Sequence, residues 1–183
     1  MLAWIQQLDG QLLVAIQGLR QPLLNGLISW YTQLGNAGLL WIVLSLAMLC
    51  WRPTRKAGAL ALTAMVFGLL ITNITIKPLV ERARPWLDWP IVPLVVENDP
   101  HSFPSGHTCS AFAAGLSWAR ALPRRWMRTL AVVLAVCMGL SRLYVGVHYP
   151  TDVLAGALIG ALCAWAAWAL YQAYVRRRPD SAG

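Results

Sequence analysis

Charged side chains leave long gaps along the chain, at residues 21–51, 57–76, 100–119 and 153–175, with a shorter gap at 129–141. A helix crossing a bilayer needs about 20 mostly apolar residues. The gaps predict five crossings, near 34–51, 57–77, 105–121, 127–145 and 151–174, in an all-α integral membrane helical bundle. Residues 1–33 follow a different pattern. Leu2, Ile5, Leu8, Leu12, Ile16 and Leu19 recur every three or four positions among Gln6, Gln7, Asp9, Gln11 and Gln17. That spacing predicts an amphipathic helix at the membrane interface. Gln21-Pro22 breaks it, and a second short helix follows, leaving room for a sixth, more polar crossing. No Lys or Arg precedes Arg20, which argues against a secretory signal peptide.

Composition supports this division. Charged residues make up 12% of the 183 positions and hydrophobic ones 58%, against about 25% charged in a soluble domain. Disorder is excluded by the same numbers. Length fits a single domain, with interfacial helices at 1–33, the bundle at 34–175 and a basic tail at 176–183. The four cysteines fall in separate apolar spans with no metal-ligand spacing and read as small buried apolar residues.

The net charge of +8 would suit a nucleic-acid partner if the charges were mixed, but they are segregated. Arg52, Arg55, Lys56, Arg120, Arg124, Arg125, Arg128, Arg176, Arg177 and Arg178, with Asp180 as the one acid, fall on one side of a five-span topology. The positive-inside rule makes that side cytoplasmic. The other side holds five basic and six acidic residues. The excess charge is therefore a topology signal, and no nucleic acid is expected.

The outward side also holds all three histidines and three polar clusters. In the first, Lys77 and Arg84 are seven apart and would share a face if the helix continued. Two such cations suit a phosphate. The second, Pro104-Ser105-Gly106-His107, opens a predicted helix, where free N–H groups and the dipole attract an anion. Ser105 can cap that helix, Gly106 lets an anion approach the backbone, and His107 stands where it can protonate a leaving oxygen. In the third, Asp152 lies four residues after His148 and can reach one ring nitrogen. That leaves the other nitrogen free to attack phosphorus. Arg142 adds a third cation. No acidic cluster suggests a divalent metal, so neither metal nor cofactor is expected and the three cations carry the electrostatic role.

Taken together, Lys77 to Pro85, Pro104 to His107 and Ser141 to Asp152 resemble the three motifs of the type-2 phosphatidic acid phosphatase family, Lys-x6-Arg-Pro, Pro-Ser-Gly-His and Ser-Arg-x5-His-x3-Asp. That family shares its site with vanadium haloperoxidases. The resemblance spans residues 77–152 and implies a membrane lipid phosphatase. His148 would be the nucleophile, Asp152 its orienting partner and His107 the general acid. Lys77, Arg84, Ser105, Gly106 and Arg142 would hold the phosphate oxygens. It further implies six crossings and a site facing the periplasm or cell exterior. The small bacterial members it resembles act on undecaprenyl diphosphate or phosphatidylglycerophosphate. A phosphotransferase using the same site, and a lipid-phosphate transporter or binding protein, are the alternatives. The Pro-rich connection from Pro78 to Pro104 carries Trp86, Asp88, Trp89, Glu97, Asp99 and His101. These read mainly as a solvated loop, with head-group selection as their alternative role.

Overall fold

The computed structural model describes residues 3–177, so Leu2, Arg178 and Asp180 lie outside the described residues. The described chain is helical: α1 (Ala3–Gln17), α2 (Pro22–Leu34), α3 (Leu39–Leu49), α4 (Arg52–Leu69), α5 (Lys77–Val80), α6 (Pro85–Asp88), α7 (Gly106–Ala121), α8 (Arg125–Tyr144) and α9 (Pro150–Arg176). A proline occupies the first or second position of α2, α4, α6 and α9, where its missing N–H costs no helical hydrogen bond. A π-helical segment, Leu70–Ile76, joins α4 to α5.

Among the described residues three helices are long and apolar enough to cross a membrane, or four at most, and the expectation of five or six crossings is corrected. Arg52–Asp88, Arg125–Tyr144 and Pro150–Arg176 are long and apolar enough, and α2 with the Asn36–Leu49 stretch makes a fourth only if that pair, bent by 51°, counts as one span. The sequence reading failed where absence of charge was taken for a crossing. Helix α3 has 11 residues and α7 has 16, about 16 and 24 Å at 1.5 Å per residue, against a hydrocarbon core of about 30 Å. From Gly106 to Ala119, before Arg120 in its last turn, α7 lacks charge because it is enclosed by α4, α8 and α9.

Small side chains let that enclosure close. Ala111, Ala113 and Ala114 of α7 are fully buried with Ala57, Ala61 and Ala64 of α4 and Ala135 of α8. A Cβ placed on Gly156 or Gly160 of α9 would lie 2.5 Å from the carbonyl oxygens of Ser105 and Cys109 respectively. Such close approach of backbones is how membrane helices gain packing contacts when lipid tails are as apolar as leucine. It also sets the start of α7 beside the start of α9, where the Ser105 N–H donates to the Asp152 carbonyl at 3.0 Å. Outside, Val66, Leu69, Val133, Leu140, Leu154, Leu158, Leu162 and Trp165 are exposed, an apolar surface suited to lipid.

The two ends of the bundle differ. Lys56 of α4 and Arg120 of α7 lie 4.3 and 4.7 Å from the Trp168 ring of α9, so the basic residues of these segments gather at one end. The motif residues lie at the opposite ends of the same helices. Helix α1 packs across this second end. It exposes Leu8 and Leu12 but buries Leu13 and Asp9, so one polar residue of the expected amphipathic face points into protein.

Gly160→Val should force α7 and α9 apart and cost about 1–3 kcal/mol, read as a lower Tm in detergent. Gly26→Ala, where an added Cβ meets nothing within 4 Å, should leave Tm unchanged or raise it.

Candidate active site

The π-helical segment carries Thr72 and Asn73 to the cavity wall one turn before Lys77. Lys77 is buried, and its ammonium pairs with Asp99. The helix stops at Glu81, which takes the left-handed conformation (φ 47°), and Arg84 is extended. Lys77 and Arg84 therefore do not share a helical face. They converge because the chain turns back after Val80, and the same turn sends Arg82 and Arg84 in different directions.

Arg84 is 1% exposed. Its guanidinium donates to the carbonyls of Val147 (2.9 Å) and Asp99 (3.1 Å), to Glu97 (3.2 Å), and to His148 Nε2 (3.2 Å). A guanidinium cannot accept a hydrogen bond, so Nε2 is the acceptor and the ring proton resides on Nδ1. Asp152 Oδ2 stands 3.4 Å from Nδ1, a long contact, while it accepts from the Tyr149 N–H at 2.9 Å. Gly146, with φ 79°, makes the turn that brings His148 back over the end of α8.

Ser105 caps α7, its hydroxyl oxygen accepting from the Thr108 N–H at 3.4 Å and from the Thr108 hydroxyl at 2.9 Å. Gly106 leaves space for Asn73, whose Oδ1 would lie 3.1 Å from an added Cβ. His107 Nε2 lies 2.9 Å from Asn36 Oδ1. Arg142, fully buried, donates to Thr32 at 2.8 Å and pairs with Glu97.

Lys77, Gly106, His107 and His148 line one cavity of about 590 Å³ with Glu97, Asp99 and Asn73. Ser105, Arg84, Arg142 and Asp152 are fully or almost fully buried and stand one residue back from its lining: Ser105 precedes Gly106, Arg84 and Asp152 meet His148, and Arg142 pairs with Glu97. All eight predicted residues thus gather at one end of the bundle. Beyond them the cavity continues between α3 and α4 along Ile42, Leu62, Met65, Val66 and Leu69.

The electrostatics are those of a crowded cationic pocket. Burial, then Arg84, Arg142 and Lys77, hold His148 well below its ordinary value. Burial, then Arg142, His148, Lys77 and Arg84, depress His107 to about 2. Burial pushes Asp99 up, but bonds from Lys77 and the His101 N–H outweigh it and hold the carboxyl below the usual range.

Sequence reasoning missed several participants. Glu97 and Asp99 are not a solvated loop. Leu94 N–H bonds to the Val145 carbonyl and Ser102 N–H to the Arg82 carbonyl, pinning the loop so that its carboxylates meet all three cations. Asp9, Thr32, Asn36 and Asn73 had no motif to mark them. A lone acid in an otherwise apolar and amide-bearing helix was the available signal for Asp9.

The PAP2 superfamily model matches residues 57–176. An undecaprenyl-diphosphatase of Sulfolobus acidocaldarius is 31% identical over 75% of this chain and 66% of its own length. Phosphatidylglycerophosphatase B of Bacillus subtilis is 34% identical over 86% of this chain and 80% of its own. The crystal structure of a transmembrane PAP2-type phosphatidylglycerolphosphate phosphatase from Bacillus subtilis superposes with a TM-score of 0.76 at 32% identity, covering 93% of this chain and 87% of that one. With the fold and the cationic cavity, these similarities define an integral membrane enzyme, a phosphatase of lipid phosphates. The chain belongs to the PAP2 superfamily.

The carboxylates of Glu97 and Asp99 hold the cations that a phosphate would need. Glu97→Gln replaces the ion pairs with Arg84 and Arg142 by weaker hydrogen bonds from the cations to a neutral amide. It should lower the phosphate or orthovanadate concentration for half-inhibition about tenfold, equivalent to about 1.4 kcal/mol, in an inhibition assay on purified protein.

Proposed function

We propose that the cavity hydrolyses a phosphomonoester or diphosphate on a membrane lipid, without a metal, through a phosphohistidine on His148. The observation that carries this reading is the buried His148 ring, with Arg84 donating to Nε2 at 3.2 Å and Asp152 Oδ2 3.4 Å from Nδ1, at the edge of the cavity that Lys77 lines. An arriving phosphate draws Arg84, Arg142 and Lys77 onto its oxygens and away from Glu97 and Asp99. The Nε2 lone pair is then released to attack phosphorus. The bond from phosphorus to the leaving oxygen breaks as Nε2–P forms, and His107 gives that oxygen a proton. Water next attacks the phosphohistidine, giving a proton to His107. Inorganic phosphate leaves and His148 is restored. The cations offset the phosphoryl charge throughout.

The apolar extension of the cavity supports a lipid whose tail lies along Met65, Val66 and Leu69, two of which are also exposed on the outer surface of α4. The names of the two relatives support undecaprenyl diphosphate or phosphatidylglycerophosphate as substrate. The clustering of Lys56, Arg120 and their basic neighbours at the far end supports a site facing the periplasm or cell exterior.

Purified enzyme should release phosphate from at least one of undecaprenyl diphosphate, phosphatidylglycerophosphate and phosphatidic acid in the presence of a chelator. His148→Ala should reduce turnover to background. Wild-type turnover in that variant would sink the mechanism.

The pH profile should carry the signature of His107. With its ring neutral in the free enzyme between pH 5 and 8, the proton for the leaving group enters on the phosphate monoanion. Raising pH above the second phosphate ionisation, about 6, removes that proton. With a phosphomonoester, kcat/KM should therefore be flat from pH 5 to 6 and fall tenfold per unit above. His107→Asn should lower kcat on a lipid substrate by about 10²–10⁴, and much less on an aryl phosphate whose leaving group needs no proton.

A further inference from the structure

Behind His148, on the side away from the cavity, lies a second set of charges that the reaction just described does not use. Arg82 is buried, and its guanidinium is shared between two buried carboxylates. Nη1 donates to Asp152 Oδ1 at 2.6 Å and Nη2 to Asp9 Oδ2 at 2.8 Å. The group also lies 3.8 Å from the Tyr149 ring and donates to the Thr151 hydroxyl at 2.8 Å. Asp9 in turn accepts from the Thr151 N–H at 3.1 Å and from the Thr151 hydroxyl. Helix α1 is thereby fastened to the first turn of α9, the turn that bears Asp152.

The two oxygens of Asp152 have separate duties. Oδ2 faces Tyr149 N–H and His148 Nδ1, and Oδ1 is taken by Arg82. A planar fork with two donor edges can fix the rotation of one carboxylate while gripping another; an ammonium cannot. The charges also matter as a sum. Asp9, Arg82 and Asp152 together carry one negative charge. His148 is neutral before it attacks and becomes cationic as the Nε2–P bond forms. A fixed negative charge behind the ring favours the second state over the first, which is the differential stabilisation that raises kcat. Without Arg82, two buried carboxylates would face the ring with no cation to hold them. Without Asp9, the chain would be neutral.

We propose that Arg82, held by Asp9 of α1, is a positioning residue that acts through Asp152 on His148. The N-terminal helix is on this view a working part of the site. The proposal rests on His148 being the nucleophile, and the His148→Ala assay tests that separately.

Arg82 and Asp9 do not touch the phosphate, so their removal should act on kcat and spare KM. Arg82→Gln should lower kcat about 10–100-fold and Asp9→Asn about tenfold, each with KM within about twofold of wild type. Arg82→Lys should fall between wild type and Arg82→Gln. The decisive measurement is the double-mutant cycle. In an Asp152→Asn background, Arg82→Gln and Asp9→Asn should each change the residual kcat by less than about twofold. Equal losses in both backgrounds would overturn the proposal, as would a raised KM with kcat unchanged, or no effect on either. If Arg82→Gln does not yield folded protein, the near-isosteric Asp9→Asn and its cycle with Asp152→Asn decide the matter alone. An inactive His148→Ala together with additive cycles would reject this inference and leave the phosphohistidine reading standing.

Discussion

A cation withdrawn from water into the end of an apolar bundle must be met by an anion, because unpaired charge in such surroundings costs several kcal/mol or more. Among the described residues four cations are buried, Lys77, Arg82, Arg84 and Arg142. Each has a carboxylate within ion-pair distance: Asp99 for Lys77, Asp9 and Asp152 for Arg82, and Glu97 for both Arg84 and Arg142. Much of the structure around the bundle follows from this pairing. The Pro-rich loop folds over the cavity because it carries Glu97 and Asp99. Helix α1 lies across the end of α9 because it carries Asp9.

The pairs divide into two kinds by what can replace them. Glu97 and Asp99 face cavity space that a phosphate can enter. A phosphate offers the same cations more charge and more oxygens, with geometry suited to Arg. Asp9 and Asp152 sit behind His148, 3% and 0% exposed, where no substrate oxygen reaches. The front carboxylates offset cations that face the cavity, and the rear ones offset Arg82 behind the ring. That division allows one pocket to be compensated without ligand and strongly cationic toward it.

That these residues would gather at one end of the bundle was legible because phosphate chemistry needs particular side chains at fixed spacing around helix ends, and those spacings survive in one dimension. Pro150 at the start of α9 and Ser105 capping α7 were readable for the same local reason. The number of crossings was not. Both lipid and a surrounding sheath of helices exclude charge, so the uncharged run that became α7 was the same signal with a different cause. The small residues Ala111, Ala113, Ala114 and Gly115 within it were the distinguishing mark, since lipid-facing positions on α9 carry Leu154, Leu158 and Leu162 instead. The link from Lys77 to Arg84 was placed on one helix face, whereas the left-handed residue Glu81 breaks that helix. A non-glycine residue with positive φ leaves no periodic trace. Asp9 and Glu97 were hidden because their partners are 73 and 45 positions away, and long-range pairing has no spacing to read.

The same close packing ties geometry to chemistry. Gly156 and Gly160 let α9 approach α7 until the Ser105 N–H reaches the Asp152 carbonyl. That contact fixes where the His107-bearing end of α7 stands relative to the Asp152-bearing end of α9. On the proposed reading the acid, His107, stands on α7 and the nucleophile, His148, in the turn that leads into α9, so the backbone contact between the two helix starts sets where each stands. The cations proposed to meet phosphate from the other sides, Lys77 from the chain after α4 and Arg142 from α8, are carried on long side chains that can follow a ligand. The rigid contact therefore sits where proton transfer and bond formation demand fixed distances, and the adjustable contacts sit where charge alone has to be offset.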